Sequence, residues 1–154
     1  MTKFLPFYSE GLKFTCTRCS DCCRHETGYV FLSKSDLSRL ALEFSLTPDQ
    51  FISQYCRWTP SISDSEKLSL AEKPNLDCIF WDSGCSVYKS RPLQCRTYPF
   101  WPNIVNNKRA WERMSVHCPG INNGELHGSQ EIEKILQSQE TEITITRNIS
   151  ARGA

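Results

Sequence analysis

Four thiols fall within eight residues, at Cys16, Cys19, Cys22 and Cys23, in the pattern C-x-x-C-x-x-C-C. Thiolate sulfur is a soft, polarizable donor, and both tetrahedral zinc and iron in clusters favour it. A two-residue gap lets successive sulfurs turn toward one centre, because a tight turn brings residue i beside residue i+3. Cys22 and Cys23 are adjacent, so their side chains are expected to point apart. The fourth thiol of the run would then reach a second metal or ligate nothing. Four further cysteines, Cys78, Cys85, Cys95 and Cys118, are dispersed along the chain. Eight soft donors suit two four-cysteine sites, or one cluster and one ion. The competing reading is a set of buried or disulfide-bonded thiols, although packing alone does not require this spacing. Cys56, the ninth, is expected late in an apolar helix, as a small buried hydrophobe outside any site.

A four-thiolate site holding a divalent ion carries a formal charge of −2. Arg18, Arg24 and Arg96 adjoin candidate ligands and Arg91 stands four residues before Cys95; all four could offset it, lowering thiol pKa values as they do so. They could equally be ordinary surface arginines. Zinc and iron–sulfur chemistry both stay open. Cys16, Cys19 and Cys22 form a C-x-x-C-x-x-C triad, and Cys118-Pro119 could supply a remote fourth ligand, a partial likeness to bacterial ferredoxin runs. His25 and His117 neighbour the cysteines; each could replace a thiolate or make a supporting hydrogen bond. His127 is expected in a polar loop and carries no signal, and Asp77, Asp82 and Glu112 stand isolated in sequence. No nucleophile elbow, phosphate loop or dinucleotide fingerprint occurs. The overlapping C-x-x-C units favour ligation over thiol–disulfide exchange.

The elements that must position these residues are short. Gly28 to Leu32 reads as a buried strand. Ser33 and Asp36 form a capping box before a helix carrying Leu37, Leu40, Ala41 and Phe44 on one face. Thr47, Pro48 and Gln50 open a second helix carrying Phe51, Ile52 and Tyr55. The signal weakens from Arg57 to Asn75, with a polar loop at 61–66 and a strand at 67–71. Residues 78–81 and 85–88 are expected to form a hairpin across Asp82-Ser83-Gly84. Ser90 and Pro92 suggest a helix start that Pro99 ends. Residues 101–105 and 109–111 could pair across 106–108, and 117–120 mark a turn. Residues 129–139 read as an amphipathic helix, and 141–154 as an edge strand or frayed tail.

At 154 residues, with 39% hydrophobic content, the chain can bury a core of its own. Lys and Arg total 18 against 17 acids, a net charge of +1. That balance gives no electrostatic case for nucleic acid or a membrane surface. Residues 1–14 lack a signal-peptide core, and no stretch approaches bilayer-spanning length. A cytoplasmic location is therefore expected, where thiols stay reduced and cysteine clusters bind metal.

The joint pattern resembles the YkgJ-type cysteine-cluster family of zinc- or iron-chelating proteins (CxxCxxCC). The resemblance rests on the opening run, then Cys78, Cys85-Ser-Val-Tyr88, Arg91-Pro-Leu-Gln-Cys95-Arg-Thr-Tyr-Pro-Phe100 and Cys118-Pro-Gly120. It covers about residues 14–121, leaving Cys56 and the C-terminal extension outside. Members are often labelled iron–sulfur oxidoreductases. The expected fold is a small α+β domain of short helices and hairpins organised around cysteine-bound metal. A cysteine-cluster domain at 1–127 would precede a C-terminal helix and tail at 128–154. The expected function is chelation of zinc or iron, including an iron–sulfur cluster, through the eight cysteines. An iron–sulfur or iron-dependent oxidoreductase and a metal-dependent interaction module or metal chaperone remain as alternatives, with metal ions as the expected partners and any protein partner left open.

Overall fold

The computed structural model describes residues 4–24 and 27–152. Among the described residues the fold is α+β, with five α-helices and two small antiparallel sheets. The chain divides into two units, Met1–Asp21 with Thr97–Thr141, and Cys22–Arg96 with Glu142–Ala154. Among the described residues no helix is long and apolar enough to cross a membrane.

In the first unit, β1 (Leu12–Phe14) pairs antiparallel with β4 (Ile121–His127). The register slips between Lys13 and Phe14, where Gly124, at φ 79°, closes on Thr15. Neither strand was expected. The helix α4 (Lys108–Ser115) and the helix α5 (Ser129–Thr141) complete this unit. A hairpin across 106–108 does not form. The Asn107 side chain instead accepts from Ala110 N and caps α4, while the Trp101 carbonyl accepts from Ile104 and Val105 and coils 101–105 into a turn. The core gathers Leu12, Phe100, Ile104, Val105, Trp111, Cys118, Ile121 and Ile132. Trp111 is buried and donates its indole N–H to Asn122 Oδ1 at 2.8 Å. His127, expected in a loop, ends β4 with its ring nitrogens 2.8 Å from the Phe14 carbonyl and 3.0 Å from Glu131.

In the second unit both capping boxes form. Ser33 opens α1 (Lys34–Glu43) and Thr47 opens α2 (Pro48–Tyr55). Cys56 is the C-cap of α2 and the first residue of β2 (Cys56–Pro60), not a residue within a helix. β3 (Ser65–Leu70) is the central strand, flanked by β2 and by β5 (Thr146–Asn148). The expected strand at 28–32 is reduced to one isolated bridge, Phe31 to Ser69, with a second, Ser33 to Thr144, just beyond it. The cause is shared space. β5 takes the Ser65–Lys67 half of the free edge of β3, and Val30 to Leu32 hydrogen-bond along the Leu68–Leu70 half. Leu32, Leu37, Leu40, Ala41, Phe51, Leu68, Leu70, Phe80 and Val87 form the core, with Phe44 stacked on Phe80.

The remaining helix, α3 (Leu93–Thr97), starts later than Ser90, which instead closes a 3₁₀ turn at Tyr88–Ser90. Its cap comes from elsewhere in the chain. The Asp36 carboxylate of α1 accepts from Leu93 N at 3.0 Å, and the same oxygen accepts from Arg39. Residues 78–81 and 85–88 meet in one isolated bridge, Trp81 to Cys85, rather than a hairpin, and Cys78 bridges back to Glu72. The chain bends as soon as it passes Cys78, whose carbonyl accepts from Trp81 N.

Candidate metal centre

No disulfide joins any of the nine cysteines. Three candidates, Cys16, Cys19 and Cys118, lie in the first unit, and five, Cys22, Cys23, Cys78, Cys85 and Cys95, in the second. The unit boundary thus falls inside the C-x-x-C-x-x-C-C run.

In the first unit Cys16 and Cys19 are exposed and Cys118 is buried. The run turns through two residues with left-handed backbone, Arg18 (φ 56°) and Ser20 (φ 73°). Arg18 N donates to Cys16 Sγ at 3.4 Å. Thr15 N donates to the Gly120 carbonyl at 3.3 Å, so the strand leading to Cys16 runs beside the turn that follows Cys118. Gly120 permits that approach, since a Cβ there would stand 2.2 Å from the Thr15 carbonyl oxygen.

In the second unit Cys22 and Cys23 share a 3₁₀ turn, Asp21–Cys23, with sulfurs 3.8 Å apart. The expectation that these neighbours point apart is corrected: the tight turn swings both side chains to one side. Cys78 is tied to them through its backbone N–H, which donates to the Cys23 carbonyl at 2.8 Å. Cys85 sits across the one-pair bridge from Trp81, and Cys95 on α3.

These five thiols lie within each other's electrostatic reach. The hydrogen bond with Cys22, then burial, then the negative charges that Cys22, Cys95 and Cys78 would carry, push the Cys23 thiol far up. Burial raises Cys95 in the same way, with Cys78, Cys22 and Cys85 adding to it and Arg91 opposing. Cys78 is raised by burial, against an N–H bond from Phe80 and the charge of Lys73. Cys85 is raised by burial, against an N–H bond from Val87 and the charge of Arg91. Cys56 is pushed up to about 12 by burial alone, without any other cysteine contributing, in keeping with a place outside the group.

The donor chemistry fits zinc or iron, and one distance fits directly. Zinc–sulfur bonds of about 2.3 Å in a tetrahedron place ligand sulfurs about 3.8 Å apart, the separation of Cys22 and Cys23. Among the described residues, no group of three or more His, Cys, Asp or Glu side chains is already arranged to hold an ion. The thiols are gathered but not drawn into a shell.

The flanking residues act unequally. Arg24 Nε pairs with the buried Asp77 at 3.3 Å, and its guanidinium lies 3.7 Å from the centre of the Trp81 ring. Asp77, isolated in sequence, is thus part of a clamp joining the residue after Cys23 to the residue before Cys78. Its signal was its place beside a cysteine. Arg91 stacks on Tyr88, and its carbonyl accepts from Arg39 and Arg96. His117 is exposed, and His25 lies outside the described residues.

The family CxxCxxCC, described as "Putative zinc- or iron-chelating domain", matches residues 15–119. The uncharacterized protein MJ0661 of Methanocaldococcus jannaschii is 29% identical over 104 residues, 66% of this chain and 52% of that protein. The chain therefore spans about half the length of that curated relative. No solved structure matches. With more than half of its length matched across all eight candidate cysteines, the chain belongs to the CxxCxxCC family.

Proposed function

We propose that the chain binds zinc or iron through the thiolates of Cys16, Cys19, Cys22, Cys23, Cys78, Cys85, Cys95 and Cys118. The observation that carries this reading is the gathering of five thiols from separate segments of the second unit, with two sulfurs at a tetrahedral spacing. Packing gains nothing from placing so many ionisable sulfurs where burial and neighbouring thiolates disfavour their ionisation. A cation reverses that balance, because metal ligation favours the thiolate form. Bound metal would cross-link the segments at 22–23, 78–85 and 95, and iron would add electron exchange. The all-sulfur donor set suits a reducing, cytoplasmic setting.

The test is anaerobic purification, metal analysis and a visible spectrum on one sample. Colourless protein with about two zinc ions per chain supports structural chelation. Brown protein with iron and acid-labile sulfide supports the cluster and the redox alternative. In either case Cys95→Ser lowers the metal content and Cys56→Ser does not. Folded wild-type protein that takes up neither metal refutes the proposal.

A further inference from the structure

One donor beside the thiols has no acceptor. Trp81 Nε1 is buried and has no hydrogen-bond partner among the described residues. An indole N–H can only donate, and burying it unsatisfied is costly. Its surroundings narrow what the acceptor can be. The ring face is covered by the Arg24 guanidinium, and Arg24 follows Cys23. The nearby Asp77 carboxylate is engaged by Arg24 and by Asn75. Trp81 N donates to the Cys78 carbonyl at 2.9 Å. Trp81 also stands opposite Cys85 in an antiparallel bridge, which puts the two side chains on one face of the turn. The indole is thus enclosed by the segments that carry Cys23, Cys78 and Cys85.

A protonated thiol is a weak acceptor, whereas a thiolate bound to metal keeps lone pairs that N–H groups satisfy. We propose that Trp81 is a positioning residue of the metal centre, its indole N–H donating to a metal-bound thiolate, with the Cys85 sulfur the one that shares its face. This rests on the thiolate reading above. The residue then has two separable parts. The ring holds Arg24, and the N–H orients and stabilises a ligand sulfur. Such supporting bonds to metal ligands change metal affinity about 10–100-fold.

The experiment titrates the 154-residue protein, labelled with nitrogen-15 in its indoles, with zinc alone under anaerobic conditions. Through-bond connectivity assigns the resonances, so the reading does not depend on any variant folding. The Trp81 indole proton is expected to move downfield and to exchange more slowly in step with zinc uptake, while that of Trp58, which lies against Arg147, stays in place. Trp81→Phe keeps a ring for Arg24 and removes the donor. Its zinc Kd, measured by chelator competition, should rise about 10–100-fold. Zinc uptake with an unmoved Trp81 resonance overturns this proposal and leaves the thiolate reading standing, and so does wild-type zinc affinity in Trp81→Phe. Wild-type protein that takes up no zinc overturns this proposal, and wild-type protein that takes up neither zinc nor iron overturns the thiolate reading with it.

Discussion

Asp36 is the residue whose loss should separate α3, and with it Cys95, from the rest of the second unit. Its carboxylate is 1% exposed and accepts three bonds, from Ser33 N at 3.1 Å, Leu93 N at 3.0 Å and Arg39 Nη2 at 2.9 Å. The Arg39 guanidinium reaches water, so that contact contributes at most about 1 kcal/mol. The two backbone donors are a different matter. Each loses a charged acceptor in a site that water enters poorly, at about 1.5–3 kcal/mol apiece. Asp36→Ala should therefore cost about 3–6 kcal/mol, against a total of about 5–15 kcal/mol for an ordinary domain. Asp36→Asn keeps one carbonyl oxygen and should cost roughly half as much. Urea unfolding of metal-loaded protein gives the energies, and amide hydrogen exchange at Leu93 and Cys95 gives the location. Both amides should exchange faster in Asp36→Ala. An alanine variant within about 1 kcal/mol of wild type, with Leu93 exchange unchanged, would refute the view that this carboxylate caps α3.

Three further outcomes follow from the same reasoning. Arg24→Ala leaves the Asp77 carboxylate with only Asn75 and uncovers Trp81, so it should cost about 1–3 kcal/mol and speed thiol labelling of Cys23 and Cys78; wild-type labelling rates would rule the clamp out. Gly120→Ala drives a methyl against the Thr15 carbonyl, and about 1–3 kcal/mol of strain should push the segment leading to Cys16 away from the turn after Cys118, lowering metal content as well as stability; undiminished metal content would contradict this. Burial opposes protonation of His127, but its bonds to Glu131 and the Phe14 carbonyl outweigh burial and hold its pKa above 6.5. The stability it adds is full below pH 6.5 and is lost as pH rises through the raised value. Melting temperature should fall over that range in wild type and less in His127→Gln, and parallel profiles for the two proteins would count against it.

Local signals were legible wherever one stretch of chain satisfied its own backbone. Ser33 with Asp36 and Thr47 with Gln50 were readable because a capping box is complete within four residues. The helix from Ser129 showed its apolar stripe. β1 and β4 gave no such sign. Ile121–His127 is mostly polar, and its pairing with Leu12–Phe14 depends on residues more than a hundred positions away. Asn107 was taken for a turn residue, and its side chain caps a helix instead. At the site, the cysteine run declared its chemistry, since no other residue type offers soft anionic sulfur at that spacing. What the run could not declare was how its members are shared. The placing of Cys22 and Cys23 side by side follows from a 3₁₀ turn. The grouping of those two with Cys78, Cys85 and Cys95 depends on tertiary contacts. Asp77 and Trp81 acquire meaning only when Arg24 arrives between them.

The division of the chain into alternating pieces has a consequence for its biosynthesis. The second unit is interrupted after Arg96 and resumes at Glu142, where the Glu142 carboxylate meets Ser33 and β5 takes its place beside β3. Translation runs from one end only. Cys22, Cys23, Cys78, Cys85 and Cys95 therefore all leave the ribosome before the strand that completes their sheet, and the order of synthesis presents the sulfurs first and closes the sheet last.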